Sequence, residues 1–252
     1  GGRLRRHREA LKGRPRARNE PTMTTKRVSH AVIMAAGRGR RMAPLTDALP
    51  KPMAPYLDST LIAHGIAKVR KFVPNIHVTV GYKGAMLAHH LVEIGVASIF
   101  TTEGHSNAWW IANTLLAHLD EPVFVLTSDN VTDLDFDELA ADYFAQGAPI
   151  GMLVPVKPVP GLDGDFIIHE KGRVTSLDRN TPSDIYCSGI QILNPARVNA
   201  IAKLQETDDF YAVWNAMMAR GELRVSNVLP KKWFSVDTLV DLARVREEHE
   251  KG

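Results

Sequence analysis

Five short apolar runs alternate with segments of helical periodicity over residues 30–156 of this chain. The runs HAVIMA at 30–35, NIHVTV at 75–80 and PVFVL at 122–126 are rich in β-branched and aromatic residues, as buried strands are. The segments at 59–73, 83–95, 108–119 and 134–146 have the apolar spacing of helices, and further strands are expected at 97–101 and 150–156. Strands that alternate with helices form parallel sheets covered by helices on both faces. We therefore predict a doubly wound α/β fold.

The second half of the chain follows a different pattern. Residues 165–169, 173–177 and 185–193 predict strands joined by short turns, followed by two helices, one weak strand and a final helix at 238–250. Hairpin-like strands in this position predict a mixed central sheet whose later part is rich in β-structure. We expect residues 23–252 to form a single domain.

The basic character of the chain is confined to its first 22 residues. These carry eight Lys or Arg and two Glu, whereas the whole chain has a net charge of +3, so the remainder has a net charge of −3. The segment has almost no large apolar residues, which predicts a disordered basic arm or an upstream extension before Met23. No aromatic or motif residues accompany the charge, so we expect no nucleic-acid partner.

Composition excludes two classes of protein. No apolar run reaches the roughly 18 residues of a membrane span, and no apolar region of a signal peptide follows the basic N-terminus. The single cysteine, Cys187, excludes an intramolecular disulfide framework. We expect a cytoplasmic protein without a membrane partner.

The stretch AAGRGRRMAPLTDALPKPMAP at 35–55 follows the first predicted strand. Ligands bind beyond the carboxyl ends of strands in open α/β sheets. Gly37 and Gly39 allow close approach of the backbone, while Arg41 and Lys51 supply positive charge for phosphate groups. The stretch lacks the pattern of a P-loop, and the third glycine of a dinucleotide fingerprint is replaced by Met42. The pattern indicates a polyphosphate site, and the alternative is a solvated basic loop.

Two aspartates follow apolar strand-like segments elsewhere in the chain. Asp129 comes just after PVFVL, and Asp237 lies in KKWFSVDTLV before the final predicted helix. Carboxylates at the carboxyl ends of strands are suited to a divalent cation shared with phosphate oxygens. The structural alternatives are a turn or helix cap for Asp129 and an N-cap for Asp237.

The stretch at 35–55 resembles the signature of the sugar-phosphate nucleotidyltransferase superfamily, which includes a phosphocholine cytidylyltransferase-like branch. The resemblance covers Ala-Ala-Gly-x-Gly-x-Arg-Met, Pro-Leu-Thr and Pro-Lys-Pro in order, and extends more weakly over about residues 29–250. Members of the superfamily join a nucleoside triphosphate to a phosphate monoester and release pyrophosphate. The resemblance implies a Rossmann-like nucleotidyltransferase fold with a nucleotide-binding portion at about 29–157 and an acceptor-binding portion at about 158–252.

Site residues follow from the same resemblance. It implies catalytic roles for Arg41, Lys51 and Asp129, and an Mg²⁺ site, which Mn²⁺ could also fill, at Asp129 and Asp237. The residues implied in nucleotide binding are Ala35, Ala36, Gly37, Gly39, Arg41, Lys51 and Gly104. The partners implied are a nucleoside triphosphate and a small phosphorylated acceptor.

The acceptor region departs from the sugar-specific members. A Gly-Thr-Gly run is absent, and Asn107, Trp109 and Trp110 stand in its place, as in branches that act on phosphocholine. One of the adjacent tryptophans is expected to pack in the core, and the other to line an acceptor pocket or hold a quaternary ammonium group. Arg179 stands where many members have a lysine that contacts the acceptor phosphate. The predicted acceptor-binding residues are Asn107, Trp110, Asp165, Arg179 and Gly189.

Several alternatives stay open at the level of sequence. The acceptor is a sugar 1-phosphate or a small amino-alcohol phosphate such as phosphocholine. A non-catalytic sensor that binds nucleotide sugars with the same fold is the alternative function, although a sensor has no need of paired metal-binding aspartates. The base of the nucleotide and the oligomeric state, including a homo-oligomer, are not indicated.

Overall fold

The computed structural model describes residues 26–159 and 164–250. The basic arm predicted for residues 1–22 therefore lies outside the described residues. The helices are Leu45–Ala48 (α1), Leu61–Val69 (α2), Gly84–Ile94 (α3), Trp109–Asn113 (α4), Phe136–Ala145 (α5), Pro195–Ile201 (α6), Phe210–Met218 (α7) and Leu239–Glu250 (α8). Short 3-10 turns occupy Arg40–Met42, Lys51–Met53 and Leu115–His118.

Thirteen strands are present within the described residues. They are His30–Ala35 (β1), Pro55–Tyr56 (β2), Ser59–Thr60 (β3), Asn75–Val80 (β4), Ser98–Thr101 (β5), Val123–Thr127 (β6), Asn130–Asp133 (β7), Gly151–Val156 (β8), Phe166–Glu170 (β9), Arg173–Asp178 (β10), Tyr186–Leu193 (β11), Leu223–Val225 (β12) and Lys232–Ser235 (β13).

Nine of these strands form one mixed sheet in the order β5-β4-β1-β6-β11-β8-β12-β10-β9. The first four are parallel, with β1 between β4 and β6. Strand β11 runs antiparallel to both β6 and β8, and β12 returns parallel to β8. The predicted doubly wound, mostly parallel mixed sheet is confirmed. Its later portion contains the antiparallel pair β9 and β10, as the spacing of the strands predicts.

Helices cover both faces of the sheet because buried side chains alternate along the strands. Ala31 and Ile33 of β1 belong to the same core cluster as residues of α2, α3 and α5. Val32, on the opposite face, belongs to the cluster that includes residues of α4, α6 and α7. This alternation is the two-residue period of a β-strand. Among the described residues, no helix is long and apolar enough to cross a membrane.

The helix predicted at 108–119 is interrupted at Thr114. Helix α4 ends at Asn113, and a 3-10 turn begins at Leu115. The hydroxyl of Thr114 donates to the carbonyl of Trp110 over 2.8 Å and accepts from the amide of Leu116 over 3.2 Å. A threonine hydroxyl that bonds to nearby backbone groups competes with the helical pattern, which explains the break.

A two-stranded ribbon outside the main sheet was not predicted as a unit. Strands β7 and β13 pair antiparallel, with Asn130 opposite Ser235. One residue beyond this pair, the amide of Val236 donates to the carbonyl of Asp129 over 3.0 Å. Val236 is buried in a third core cluster that joins Met42, in the loop after β1, to α8. The ribbon therefore brings the segment before α8 against the end of β6.

Candidate active site

The loop after β1 is built around a glycine in the left-handed region. Gly39 has a φ of 64° and precedes the 3-10 turn Arg40–Met42, whose last residue, Met42, donates its amide to the Gly39 carbonyl over 2.9 Å. A Cβ atom at Gly39 would lie 2.7 Å from Cβ of Lys51, which is closer than real contacts allow. Glycine is therefore required here for its backbone conformation and because the side chain of Lys51 packs closely against it.

Lys51 is a buried cation held between two carboxylates. It begins the 3-10 turn Lys51–Met53 between two prolines and is 9% exposed. Its ammonium nitrogen lies 2.6 Å from Oδ2 of Asp129 and 3.0 Å from Oδ1 of Asp237. Buried charges are paired in this way because an isolated one would lose its hydration without compensation.

Asp237 interacts with a second cation. A terminal nitrogen of Arg41 lies 2.9 Å from the same Oδ1 atom that Lys51 contacts, and the hydroxyl of Ser235 donates to Oδ2 over 3.1 Å. Burial alone would raise the pKa of Asp237, but the charges of Lys51 and Arg41 outweigh it and lower that pKa. Asp237 is therefore a carboxylate at neutral pH.

The N-cap of α8 is Thr238, whose hydroxyl accepts from the amide of Asp241 over 3.2 Å, and not Asp237, for which an N-cap role was the structural alternative. The side chain of Asp241 accepts hydrogen bonds from the amides of Asp237 and Thr238, over 3.1 and 2.8 Å, at the start of α8. The carboxylate of Asp237 is thereby left to face Lys51 and Arg41.

Six of the predicted site residues line one cleft of about 350 Å³. They are Gly37, Gly39, Arg41, Lys51, Asp129 and Asp237. The cleft lies at the carboxyl ends of β1 and β6, which is where ligands bind in open α/β sheets. Two carboxylates and two cations face it, so it can take up both phosphate groups and a divalent cation.

The carboxylates suit a cation that shares its ligands with a substrate. Within the described residues, no group of three or more His, Cys, Asp or Glu side chains is arranged to enclose a metal ion. The oxygen donors of Asp129 and Asp237 match the preference of Mg²⁺ for one or two carboxylates, completed by water and phosphate oxygens. The donor set therefore fits Mg²⁺ or Mn²⁺.

Ala36 and Gly104, two further predicted nucleotide-binding residues, are not among those that line the cleft. The carbonyl of Ala36 accepts from the amide of Tyr82 over 3.0 Å, and a Cβ atom at Gly81 would lie 2.6 Å from that carbonyl oxygen. This contact ties the loop after β1 to the end of β4. Gly104 is exposed, with a φ of 82°.

Two predicted acceptor-binding residues contact each other, namely Asp165, just before β9, and Arg179, just after β10. Nε of Arg179 donates to Oδ1 of Asp165 over 3.4 Å, and the hydroxyl of Tyr211 donates to the same oxygen. Asp165 is 9% exposed, whereas the side chain of Arg179 is 62% exposed. Tyr211 was not predicted, because a tyrosine in the first turn of a helix has no sequence signal for such a contact.

Trp110 belongs to the core. It is 1% exposed, in the cluster on the second face of the sheet, so its predicted role in acceptor binding is corrected. Trp109 is the half-buried member of the pair, and its ring stacks on His105 with centroids 4.2 Å apart. Asn107 is exposed, and its side-chain oxygen accepts from the amide of Phe210 over 3.1 Å, which joins this loop to the start of α7.

Gly189 lies in an irregular segment of β11. It has a φ of 81°, and the register of β11 against β8 shifts between Cys187 and Gln191. The carbonyl of the preceding Ser188 accepts from the side chains of Asn130 and Trp233, each over 3.1 Å. These donors belong to β7 and β13, so the irregular segment of β11 is joined to the ribbon that places the two aspartates.

Comparison with known proteins decides the family. The family model described as "Nucleotidyl transferase" matches residues 30–252, which is most of the chain. This chain belongs to the nucleotidyl transferase family. The family predicted from the resemblance of the loop after β1 is thereby confirmed.

Relatives of this chain include longer proteins. A mannose-1-phosphate guanyltransferase from Candida albicans is 30% identical over 185 residues, which cover 68% of this chain and 51% of the relative. The catalytic subunit beta of mannose-1-phosphate guanylyltransferase from Drosophila melanogaster is 27% identical over 185 residues, covering 69% and 50%. The chain spans about half the length of these relatives.

Solved structures share the fold of this chain. The inositol-1-phosphate CTP transferase from T. maritima matches with a TM-score of 0.70 and 17% identity, covering 89% of this chain and 96% of that one. A UDP-glucose pyrophosphorylase complexed with UDP-glucose matches with a TM-score of 0.68 and 13% identity, covering 89% and 99%. At these identities the likeness concerns the fold.

Proposed function

We propose that this protein transfers a nucleotidyl group from a nucleoside triphosphate to a sugar 1-phosphate and releases pyrophosphate. The cluster of Lys51, Arg41, Asp129 and Asp237 beside the glycine-rich loop is the observation that carries this proposal. Two cations and two carboxylates in one cleft suit the meeting of two phosphate-bearing substrates. Membership of the nucleotidyl transferase family supports the same reaction.

The residues of the loop after β1 would bind the triphosphate. A Cβ atom at Gly37 would have no heavy atom within 4 Å, so space for a ligand is open beside this exposed backbone. The side chain of Arg41, which is 68% exposed, can extend to phosphate oxygens, and Lys51 can transfer its contact from the carboxylates to the triphosphate. Bound by Asp129 and Asp237, Mg²⁺ or Mn²⁺ would neutralise charge that develops on the phosphates.

The reaction needs little acid–base chemistry from the protein. An oxygen of the acceptor phosphate attacks the α-phosphorus, the bond from that phosphorus to the bridging oxygen breaks, and pyrophosphate leaves. A phosphate dianion is already a nucleophile, so positioning and charge neutralisation supply the catalysis. Arg179 offers the acceptor phosphate a guanidinium group in place of the lysine that is usual in the family.

The relatives indicate the first substrates to test. Several of them are named mannose-1-phosphate guanyltransferases, so GTP and mannose 1-phosphate form the leading pair. The half-buried Trp109 and the exposed Asn107 replace the usual Gly-Thr-Gly run, so small amino-alcohol phosphates form a second class of acceptor.

Pyrophosphate release tests the proposal. Four nucleoside triphosphates would be combined with mannose 1-phosphate, glucose 1-phosphate, inositol 1-phosphate, phosphocholine and phosphoethanolamine, each with Mg²⁺ or Mn²⁺. We expect turnover with at least one pair, abolished by Asp129→Asn. The matched control is Asp133→Asn, an exposed aspartate at the far end of β7, which should retain turnover. A protein that binds nucleotide sugars without turnover for any pair would instead be a sensor.

A further inference from the structure

Asp165 accepts hydrogen bonds from two side chains at a single oxygen atom. Tyr211, in the first turn of α7, donates its hydroxyl to Oδ1, and Arg179, just after β10, donates Nε to the same atom over 3.4 Å. Asp165 itself is attached to β11, because its carbonyl accepts from the amide of Cys187 over 2.8 Å. Three separate segments of the acceptor-binding portion therefore meet at one carboxylate.

The position of Tyr211 is set by contacts that do not involve Arg179. Asp209 caps α7 and accepts the amide of Tyr211 over 2.9 Å. The ring of Tyr211 packs edge-on against Trp214, whose buried indole nitrogen donates to the side chain of Gln191 over 2.9 Å. Contacts through Trp214 and β11 thus fix Tyr211 to the central sheet, independently of its hydrogen bond to Asp165.

Arg179, in contrast, has little support of its own. Its side chain is 62% exposed, the Asp165 carboxylate is its ion-pair partner among the described residues, and it also contacts the side chain of Tyr211. Because the contact to Asp165 is made through Nε, it engages one side of the guanidinium group. An arginine held at this side presents its remaining donors for a phosphate group.

We propose that Tyr211 is a positioning residue for the acceptor, which holds the Asp165 carboxylate so that Asp165 in turn orients Arg179 toward the acceptor's phosphate. The inference rests on the proposed function, because it takes Arg179 as the group that binds the acceptor phosphate. It assigns to Tyr211 no contact with the reacting atoms. The ligand that this arrangement would bind is a phosphate monoester.

The charge states of the three side chains support this arrangement. Burial raises the pKa of Tyr211, and its hydrogen bond to Asp165 raises it further, so the phenol remains a donor at neutral pH. The contact with Tyr211, followed by the charge of Asp165, raises the pKa of Arg179. The guanidinium group therefore stays charged wherever the enzyme would operate.

Kinetics of Tyr211→Phe test the proposal. The ring and its packing on Trp214 are retained, whereas the hydroxyl is lost. We expect KM for the acceptor to rise about tenfold, with KM for the nucleoside triphosphate unchanged, because one hydrogen bond to a charged group is removed. In an Arg179→Gln background, Tyr211→Phe should have no additional effect, since the two side chains act in series. Independent effects of the two changes would overturn the proposal.

Tyr143→Phe is the matched control. It also removes a phenol hydroxyl, which donates to the carbonyl of Pro149 over 2.8 Å, from a residue outside the acceptor region. We expect its KM for the acceptor to equal that of the wild type. Equal increases in both variants would show that Tyr211 contributes to stability alone and would contradict the positioning role.

A second measurement does not depend on turnover. In protein labelled with ¹⁵N at arginine Nε, the signal of Arg179 would be assigned by its loss in Arg179→Lys. We expect a rigid Nε–H in the wild type, seen as a high heteronuclear NOE, and a mobile one in Tyr211→Phe. An Nε–H of equal mobility in both would overturn the proposal. If no substrate pair releases pyrophosphate, the proposed function fails, while this measurement still decides the role of Tyr211.

Discussion

The ammonium nitrogen of Lys51 lies 2.6 Å from Asp129 and 3.0 Å from Asp237, in the place where a divalent cation would contact the same carboxylates. An ammonium group and a dication a few ångströms apart repel each other strongly, above all where the cation is buried. Lys51 and a divalent cation would therefore compete for the two aspartates until a triphosphate drew Lys51 away. This relationship predicts that nucleotide strengthens metal binding.

Lys51→Met should increase metal affinity in the absence of nucleotide. The change leaves two carboxylates with Arg41 as their remaining cationic contact, so we expect the Kd for Mn²⁺ to fall at least about tenfold. Electron paramagnetic resonance of free Mn²⁺ measures this affinity directly, while pyrophosphate release should be lost. Lys68→Met is the control, because Lys68 donates to the carbonyl of Thr132 and contacts neither aspartate. Weaker Mn²⁺ binding in Lys51→Met would contradict the competition.

The two glycines of the first loop should respond differently to alanine. At Gly39, alanine combines a φ of 64° with a Cβ atom 2.7 Å from Lys51, so Gly39→Ala should lower Tm by several degrees. At Gly37, no atom lies within 4 Å of the added Cβ, so Gly37→Ala should leave Tm unchanged and raise KM for the nucleotide. Thermal unfolding and initial-rate kinetics separate the two effects. A similar loss of Tm in both variants would refute this distinction.

His77 should make stability depend on pH. It is 8% exposed, and its ring nitrogens contact His30 over 3.0 Å and Ser98 over 2.6 Å. Burial, with the neighbouring His30, lowers the pKa of His77 from 6.5 to about 4. Between these values the unfolded chain binds a proton that the folded protein does not, so the free energy of unfolding should fall as pH drops, by roughly 3 kcal/mol.

The pH dependence is measured by urea unfolding at pH 7.0 and at about pH 4.5. His77→Gln should lose most of the decrease seen in the wild type. His89→Gln is the control, because the side chain of His89 is 80% exposed. The role of His77 would be disproved by equal decreases in the wild type and in His77→Gln.

Asp142 should stabilise the fold by joining α5 to the segment after β12. Its carboxylate accepts from the Ser226 hydroxyl over 2.7 Å and from the amide and side chain of Asn227 over 2.9 and 2.8 Å. Asp142→Ala should lower the free energy of unfolding by about 2 kcal/mol at neutral pH, because these donors lose their acceptor. Asp137→Ala, on the same helix but exposed, should cost much less.

The contribution of Asp142 should also disappear in acid. Burial alone would raise the pKa of Asp142, but hydrogen bonds from Ser226 and Asn227 outweigh it and lower that pKa below the ordinary 3.8. A carboxylate with a lowered pKa stabilises the protein above that ordinary value and loses its effect as pH falls through the lowered one. The difference between wild type and Asp142→Ala should therefore shrink below about pH 4. A difference that persists there would exclude the carboxylate charge as its source.

Local sequence patterns located strands of the main sheet. The strands predicted at 30–35 and 75–80 have the same bounds in the structure, because an apolar run buried on both faces is recognisable without knowledge of its neighbours. The glycines and basic residues after β1 indicated the phosphate-binding loop for a similar reason. The backbone freedom of Gly39 and the charge of Lys51 are properties of single residues and of their spacing.

Tertiary structure decided which residues act together. Thr132 and Lys232 are 100 positions apart, and the pairing of their strands is what brings Asp129 beside Asp237. It also decided that Trp110 is core, and that Tyr211 reaches Asp165. Such contacts depend on how distant segments pack and in which register they pair, and no local periodicity encodes either. The sequence by itself therefore determined the strands, the loop and the types of charge, while the fold decided how those strands and charges are paired.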